Sequence, residues 1–140
     1  KKSHIIIICG HYEGYDERIL HHVDEVVSIG DFILTGGELG AMIVSDSIIR
    51  LLPEVLNEES ILEESFENGL LEYPQYTKPQ EIDGLKVPEV LLSGHHENIK
   101  QYRHEQSLLK TKKHRPDLLD NYELTERDSV FLDVINKQNK

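Results

Sequence analysis

The apolar positions near the start of the chain form short runs, and each run leads into glycine. Residues 4–9 precede Gly10, and residues 23–29 precede Gly30. A largely apolar run of this length is typical of a strand that is buried on both faces of a parallel sheet. The pattern therefore predicts two buried strands, followed by a third short apolar run at residues 32–34.

Helical spacing of the apolar positions follows these runs. Residues 38–52 carry apolar side chains three or four positions apart, and Pro53 predicts the end of this helix. Asp16 is suited to cap a shorter helix over residues 17–22, because its carboxylate can accept hydrogen bonds from free backbone N–H groups. Further along the chain, residues 87–94 predict a short strand and a turn.

The C-terminal part of the chain is predicted to be helical. A basic helix is expected from residue 95 or 96 to about residue 112, followed by a helical pair over residues 116–119 and 125–135. Thr125 and Asp128 have the spacing of a capping box, in which each residue bonds the backbone of the other.

An acidic segment separates the two helical parts. Residues 57–67 have little periodicity, which is typical of a mobile linker, and two prolines and two tyrosines predict an extended segment at residues 69–79. We therefore expect a first domain at residues 1–56, an interdomain linker at 57–77 and a C-terminal domain at 78–140.

Charge is unevenly distributed in this acidic chain. The formal net charge is −11, yet residues 95–140 carry 9 Lys and Arg against 8 Asp and Glu. Six of these basic residues lie close together, with Glu105 as the single acid among them. Such a stripe is either a solvated helix face or a surface for the phosphates of a nucleic acid. The six residues are Lys100, Arg103, Lys110, Lys112, Lys113 and Arg115.

Cysteine content and chain start set two further expectations. The single cysteine, Cys9, excludes an intrachain disulfide and favours a cytoplasmic setting, and no apolar stretch approaches the length of a membrane span. The chain begins without Met and enters a strand almost at once, which predicts that an N-terminal part is missing. We expect the isolated chain to be inactive and prone to aggregate, because a truncated sheet exposes an unpaired edge.

The glycine turns carry the first candidate chemistry. Backbone at glycine can approach a ligand closely, and ligands of open α/β sheets lie at the carboxyl ends of strands. Glu13, at the tip of the first turn, either reaches a ligand or cation or begins a solvated helix. Arg50 is either an exposed surface residue or a contact to a phosphate or base. The eight histidines lack the spacing of metal ligands.

Four longer motifs resemble one known family. They are residues 9–18 (CGHYEGYDER), 28–39 (SIGDFILTGGEL), 69–77 (GLLEYPQYT) and 87–94 (VPEVLLSG). These stretches resemble the bacterial tRNA (guanine-N1-)-methyltransferases, the TrmD family within the SPOUT superfamily. The resemblance implies an α/β fold, in which a parallel-sheet domain with a deep trefoil knot is followed by a small helical domain that binds tRNA.

The resemblance also implies an activity and a cofactor site. The family transfers a methyl group from S-adenosylmethionine to N1 of the guanosine just 3′ of the anticodon. Members are homodimers whose active sites draw on both subunits, and a magnesium ion assists them, which makes Glu13 a candidate neighbour of Mg²⁺. The cofactor-binding residues carried over by motif are Gly10, Tyr12, Glu13, Ile29, Gly30, Asp31, Phe32, Ile33, Leu34, Gly36 and Gly37.

Two residues are carried over for catalysis. Arg50 matches an arginine that handles the target guanosine, and a linker carboxylate removes the N1 proton. The family has aspartate before Ser-Phe in the linker, whereas this chain has Glu64, whose stem is one methylene longer. Glu63 is the competing candidate for the base. The departure leaves open a non-catalytic RNA-binding homologue, and a knotted methyltransferase with another RNA target is the second alternative.

Overall fold

A computed structural model of the chain describes residues 4–57 and 63–138. The chain divides into two compact units, Lys1–Asn57 and Glu58–Lys140, which we call the N-terminal unit and the C-terminal unit. The three-part division expected from the sequence stays a prediction.

The regular elements of the described residues are short, apart from three helices of twelve residues or more. None of the described helices is both long and apolar enough to cross a lipid bilayer. In chain order the elements are a 3-10 helix at Glu17–His21, α1 at Glu38–Ile49, β1 at Glu81–Ile82, β2 at Leu85–Lys86, α2 at Glu89–Leu92, α3 at His96–His114, α4 at Pro116–Leu119 and α5 at Glu126–Gln138.

Local signals position both helices of the N-terminal unit. The Asp16 carboxylate accepts a hydrogen bond from the backbone N–H of Arg18 at 2.9 Å, which confirms the predicted cap of the 3-10 helix. Helix α1 begins as predicted but ends at Ile49, before the predicted end at Leu52. The intervening turn is closed by tighter bonds between residues three apart, because Pro53 disfavours helical backbone just before it.

The two strands predicted in the N-terminal unit are not formed by the described residues. Residues 4–9 and 23–29 have no ladder partner there, and their apolar side chains are exposed, with Ile6 at 77% and Val26 at 73%. A parallel strand needs neighbours to pair its backbone and to cover both of its faces. The described part of this unit supplies neither, so the prediction of buried strands is wrong for these residues.

The C-terminal unit has the core of the molecule. Leu70, Leu108 of α3 and Leu132 of α5 are buried together. Thr111, also buried on α3, accepts a hydrogen bond from the backbone N–H of Leu71 at 2.8 Å. Half-buried side chains complete the cluster: Leu119, Tyr122 and Phe131.

The helices of the C-terminal unit confirm most of the local predictions. Helix α3 forms as expected and ends two residues later than predicted. The capping box of α5 is reciprocal: Thr125 N–H donates to Asp128 Oδ2 at 3.0 Å, and Asp128 N–H donates to Thr125 Oγ1 at 3.2 Å.

Two segments of the C-terminal unit differ from the sequence-based expectations. Within residues 87–94, Glu89–Leu92 form helix α2 rather than a strand, because Pro88 precedes a first turn to which Glu89 contributes a favourable negative charge. The antiparallel hairpin of β1 and β2 was not predicted. Its turn residues, Asp83 and Gly84, have φ of +51° and +80°, as the tightest hairpin turns require.

Candidate functional site

The two glycine turns of the N-terminal unit meet through their backbones. The N–H of Gly37 donates to the carbonyl of Gly10 at 3.1 Å, and His11 pairs with Gly36 in an isolated antiparallel bridge. A Cβ on Gly37 would lie 3.0 Å from the Cα of Cys9. A Cβ at this distance is tighter than an ordinary contact, so glycine favours the close approach. The structure thus brings three of the predicted cofactor residues together: Gly10, Gly36 and Gly37.

A side-chain contact reinforces the junction of the turns. His11 Nε2 and the Glu38 carboxylate are hydrogen bonded across 27 positions of sequence. The backbone N–H of Glu38 and the bond to His11 both lower the pKa of this carboxyl. Sequence reasoning missed this role of His11, since two residues so far apart form no local pattern.

Two of the predicted cofactor glycines make room for aromatic rings of the chain itself. A Cβ on Gly10 would lie 2.6 Å from the ring of Tyr15, and one on Gly30 would lie 2.5 Å from the ring of Phe32. The Tyr15 hydroxyl donates to the carbonyl of Ile8 at 2.7 Å, which fixes its ring over Gly10. Packing within the turns thus explains glycine at these two positions without a ligand.

The side chains predicted to contact the cofactor are largely exposed. Tyr12 and Ile33 are each 99% exposed, and Phe32 is exposed beside Gly30. Tyr12 has φ of +63°, a left-handed conformation that is uncommon for a bulky residue and that occurs most often at functional turns. Three further predicted residues belong to the same segment: Ile29 is half-buried, whereas Asp31 and Leu34 are exposed.

Glu13, the candidate neighbour of Mg²⁺, lies in the first glycine turn. This residue is exposed, and the part of the chain that the structure describes contains no group of three His, Cys, Asp or Glu side chains placed to share a metal ion. The role of Glu13 as a neighbour of Mg²⁺ stays a prediction.

The two residues predicted for catalysis belong to different units. Arg50 is half-buried at the end of α1, where its backbone N–H donates to the carbonyl of Asp46 at 3.1 Å. Glu64 is half-buried in the C-terminal unit, on a turn in which its carbonyl accepts from the N–H of Glu67 at 3.4 Å.

The turn that carries Glu64 is tied to the C-terminal unit. Ser65 Oγ accepts from the N–H of Glu72 at 2.9 Å, and the N–H of Phe66 donates to the carbonyl of Leu70 at 2.8 Å. Phe66 has φ of +78°, again a left-handed conformation at a bulky residue. Of the segment predicted as a mobile linker, residues 58–62 lie outside the described residues.

Glu63, the rival candidate for the base, has partners of its own. The Tyr73 hydroxyl donates to the Glu63 carboxylate, and the guanidinium of Arg103 lies 3.8 Å from the same oxygen. Arg103 also lies 4.7 Å from the centre of the Tyr73 ring, which is the geometry of a cation–π contact. Burial, and then the bond to Glu63, raise the pKa of Tyr73, so its hydroxyl remains a donor at neutral pH.

The predicted basic stripe divides into two groups of residues. Lys112 donates to the side chain of Asn136 on α5, and Arg115 forms two hydrogen bonds to Asp117, at 2.8 and 2.6 Å. Arg115 also lies 5.6 Å from the centre of the Phe66 ring. Together with Arg103, these residues have partners within the unit, whereas three others make no ion pair among the described residues: Lys100, Lys110 and Lys113.

Comparison with known proteins identifies the family. A family profile described as tRNA (Guanine-1)-methyltransferase TrmD matches residues 1–121. The chain is 58% identical over 140 residues to a tRNA (guanine-N(1)-)-methyltransferase of Staphylococcus haemolyticus, with 99% of this chain and 57% of the relative covered. The enzyme of the same name from Halalkalibacterium halodurans is 59% identical over 138 residues, or 97% of this chain and 56% of the relative.

A third relative gives the same result. The tRNA (guanine-N(1)-)-methyltransferase of Mycoplasma capricolum is 60% identical over 135 residues, which cover 96% of this chain and 55% of the relative. The chain thus spans a little over half the length of these relatives. From the family match and from identities maintained over nearly the whole sequence, we conclude that the chain belongs to the tRNA (guanine-1)-methyltransferase TrmD family.

Proposed function

We propose that the protein containing this chain is an S-adenosylmethionine-dependent tRNA guanine-N1-methyltransferase that acts in the cytoplasm on the guanosine just 3′ of the anticodon. The observation that carries the proposal is the family match over residues 1–121. The joined glycine turns support it, because they bring the predicted cofactor residues together beside exposed aromatic and aliphatic side chains.

The joined turns fit the proposed cofactor. The exposed side chains of Tyr12 and Ile33, beside the joined turns, offer apolar surface for a flat adenine ring. S-adenosylmethionine, when bound, supplies an activated methyl group. The residues of the turns hold and orient it, and the His11–Glu38 contact keeps the two turns together.

Glu64 and Arg50 have complementary roles in the proposed reaction. Guanine N1 must lose a proton as it is methylated, and the Glu64 carboxylate is the group that accepts it. Arg50 stabilises the negative charge that develops on the guanine as this proton leaves. Glu64 lies on a turn that several hydrogen bonds stabilise, so the backbone from which its longer side chain extends is restricted.

The basic residues of the C-terminal unit are the proposed contacts to tRNA. Lys100, Lys110 and Lys113 are the strongest candidates, because they make no ion pair among the described residues. Lys110 and Lys113 are three positions apart in α3 and therefore lie on one side of it. Arg103, Lys112 and Arg115 would have to exchange a protein partner for a phosphate.

Family membership also supports proposals about the whole protein. A knotted parallel-sheet domain would cover the apolar runs of residues 4–9 and 23–29, which are exposed in the described chain. A homodimer with shared active sites and a magnesium ion that assists the reaction, with Glu13 as its neighbour, are further proposals of the same kind. The second candidate function is a non-catalytic RNA-binding homologue, which glutamate in place of the family's aspartate at position 64 favours.

The proposed activity can be tested by methyl transfer to a defined tRNA. The full-length protein would be incubated with labelled S-adenosylmethionine and an unmodified transcript that has guanosine after the anticodon, with adenosine there as the control. We expect label on the guanosine transcript alone, and its near-complete loss in Glu64→Ala. Cofactor and tRNA binding without transfer would favour the binding homologue, and label at another position would indicate another target.

A further inference from the structure

We propose that Glu63, Tyr73 and Arg103 form a clamp that positions Glu64 for proton removal, and that Glu63 is a positioning residue rather than the base. The inference rests on the proposed function, since it concerns the residue that accepts the N1 proton. It follows from the contacts around the turn and from the order of the residues along the chain.

The Glu63 carboxylate has two partners in the clamp. One oxygen of Glu63 accepts the hydrogen bond from the Tyr73 hydroxyl and lies 3.8 Å from a guanidinium nitrogen of Arg103. Arg103 in turn lies over the Tyr73 ring at 4.7 Å from its centre. The three side chains therefore contact one another in pairs, and Glu63 would have to give up both partners to act as a base.

The neighbouring residue, Glu64, stands directly before Ser65 and Phe66, at the position where the family has its aspartate. The clamp fixes the chain immediately before Glu64, whereas the bond from Glu72 N–H to Ser65 Oγ fixes it immediately after. Anchors on both sides restrict the backbone of Glu64, and the partly buried hydrogen bond from Leu71 N–H to Thr111 Oγ1 holds the returning segment on α3. A restricted backbone matters, because a displacement of about 1 Å can cost about a hundredfold in rate.

The clamp also changes the interpretation of Arg103. The basic stripe predicted that this residue binds tRNA, but its guanidinium stacks on Tyr73 and faces Glu63. Lys110, two turns along the same helix, makes no ion pair among the described residues. We therefore expect Arg103 to act on the rate of methyl transfer and Lys110 to act on tRNA affinity.

The first experiment removes a single oxygen from the clamp. In the full-length protein, Tyr73→Phe keeps the ring under Arg103 but loses the donor to Glu63. We expect kcat to fall about tenfold, with the KM for tRNA and for S-adenosylmethionine unchanged. The matched control is Tyr76→Phe, the same change three residues on in the same segment, which should leave kcat at the wild-type value.

Substitutions of the two carboxylates separate positioning from base catalysis. Glu63→Gln retains an oxygen that accepts the Tyr73 hydroxyl, so kcat should stay within about threefold of wild type, because an exposed ion pair contributes little. Glu63→Ala should resemble Tyr73→Phe, whereas Glu64→Gln should be nearly inactive. A Glu63→Gln variant as inactive as Glu64→Gln would make Glu63 the base and overturn the proposal.

A binding measurement tests the reassignment of Arg103. The dissociation constant for tRNA would be measured against salt concentration for Arg103→Ala and Lys110→Ala. Loss of a phosphate contact lowers the slope of log Kd against log salt by about one. We expect that change in Lys110→Ala only. The same change in Arg103→Ala, with kcat unaffected, would contradict the clamp.

Hydrogen exchange tests the clamp independently of activity. In Tyr73→Phe, the amides of Phe66 and Leu71 should exchange faster, while those in the middle of α3 remain as in wild type, which shows that the unit is folded. Unchanged exchange at the turn would refute the clamp. A wild-type protein that lacks guanosine methylation would refute the proposed function alone, and the exchange result would still decide the clamp.

Discussion

The two units of this chain differ in how their residues are covered. Among residues 4–57 none is buried, although this unit contains the longest apolar runs of the sequence. In the C-terminal unit Leu70, Leu108 and Leu132 form a closed core within the chain itself. Helices that are close in sequence can cover one another, whereas parallel strands depend on partners that local sequence does not supply. This difference in coverage also determines which substitutions lower the free energy of unfolding most.

Polar contacts show the same contrast. The His11–Glu38 and Arg18–Asp16 pairs of the N-terminal unit are exposed, and such pairs contribute little to stability. In the C-terminal unit the carboxylate of Asp128 is almost fully buried and is bonded to both Thr125 and His104. The N-terminal turns therefore depend on glycine backbone, and the C-terminal unit depends on its core.

The largest expected effect comes from the C-terminal core. Leu108 is fully buried, so Leu108→Ala should lower the free energy of unfolding by about 3–4 kcal/mol. Ile33→Ala, at a residue that is 99% exposed, is the matched change in the other unit and should cost less than about 0.5 kcal/mol. Urea unfolding measures both, and equal losses would remove the contrast between the units.

The next largest effect on stability is expected at the buried carboxylate of Asp128, and this effect depends on pH. Burial alone would raise the pKa of Asp128, but the hydrogen bonds from Thr125 and His104 outweigh burial and lower it below its ordinary value of 3.8. In acid the unfolded chain then binds the proton first, so this stabilisation is present above pH 3.8 and is lost as the pH falls through the folded-state pKa.

Asp128→Ala should therefore cost about 2 kcal/mol at neutral pH, through the lost cap and the lost partner of His104. This loss of stability should shrink in acid, because protonation then removes the negative charge of the wild-type carboxylate. Thermal unfolding at several pH values checks this expectation. A cost that stayed constant from pH 7 to pH 3 would show that the charge of Asp128 does not matter.

The smallest effect is expected at the hairpin of the C-terminal unit. Gly84 has φ of +80° with open space around its Cα, so Gly84→Ala should cost about 1 kcal/mol through the backbone alone. Because the hairpin is exposed, α3 and α5 should remain intact by circular dichroism. A loss of helical signal would mean that the hairpin supports the core.

Local signals account for what the sequence could predict. The Asp16 cap, the basic helix α3 and the Thr125–Asp128 capping box each depend on residues a few positions apart, and all three are present. The prediction of buried strands failed because strand pairing and burial depend on residues that are distant in sequence. The dipeptide Asp83-Gly84 is itself a local hairpin signal, and both residues have positive φ.

The candidate site also combines local signals with contacts between residues that are distant in sequence. Motifs indicated the glycine turns, but only the fold shows that Gly37 meets Gly10. The clamp joins Glu63, Tyr73 and Arg103 across 40 positions of sequence, and no periodic pattern relates them. Sequence reasoning could therefore name Glu64 and Glu63 as alternatives for the base, but the contacts of Glu63 with Tyr73 and Arg103 became visible only in the structure.

The central claim is that the joined turns of the N-terminal unit bind the cofactor while the C-terminal unit binds tRNA. The most direct test is equilibrium binding of both ligands to full-length Gly37→Ala, because a Cβ there would lie 3.0 Å from the Cα of Cys9, so that the joined turns would have to shift by a few tenths of an ångström. Gly40→Ala in α1 is the control, since its Cβ would make only an ordinary contact of 3.6 Å with Ile29. The account predicts about tenfold weaker binding of S-adenosylmethionine and unchanged tRNA affinity in Gly37→Ala alone. Wild-type cofactor affinity in Gly37→Ala would contradict it.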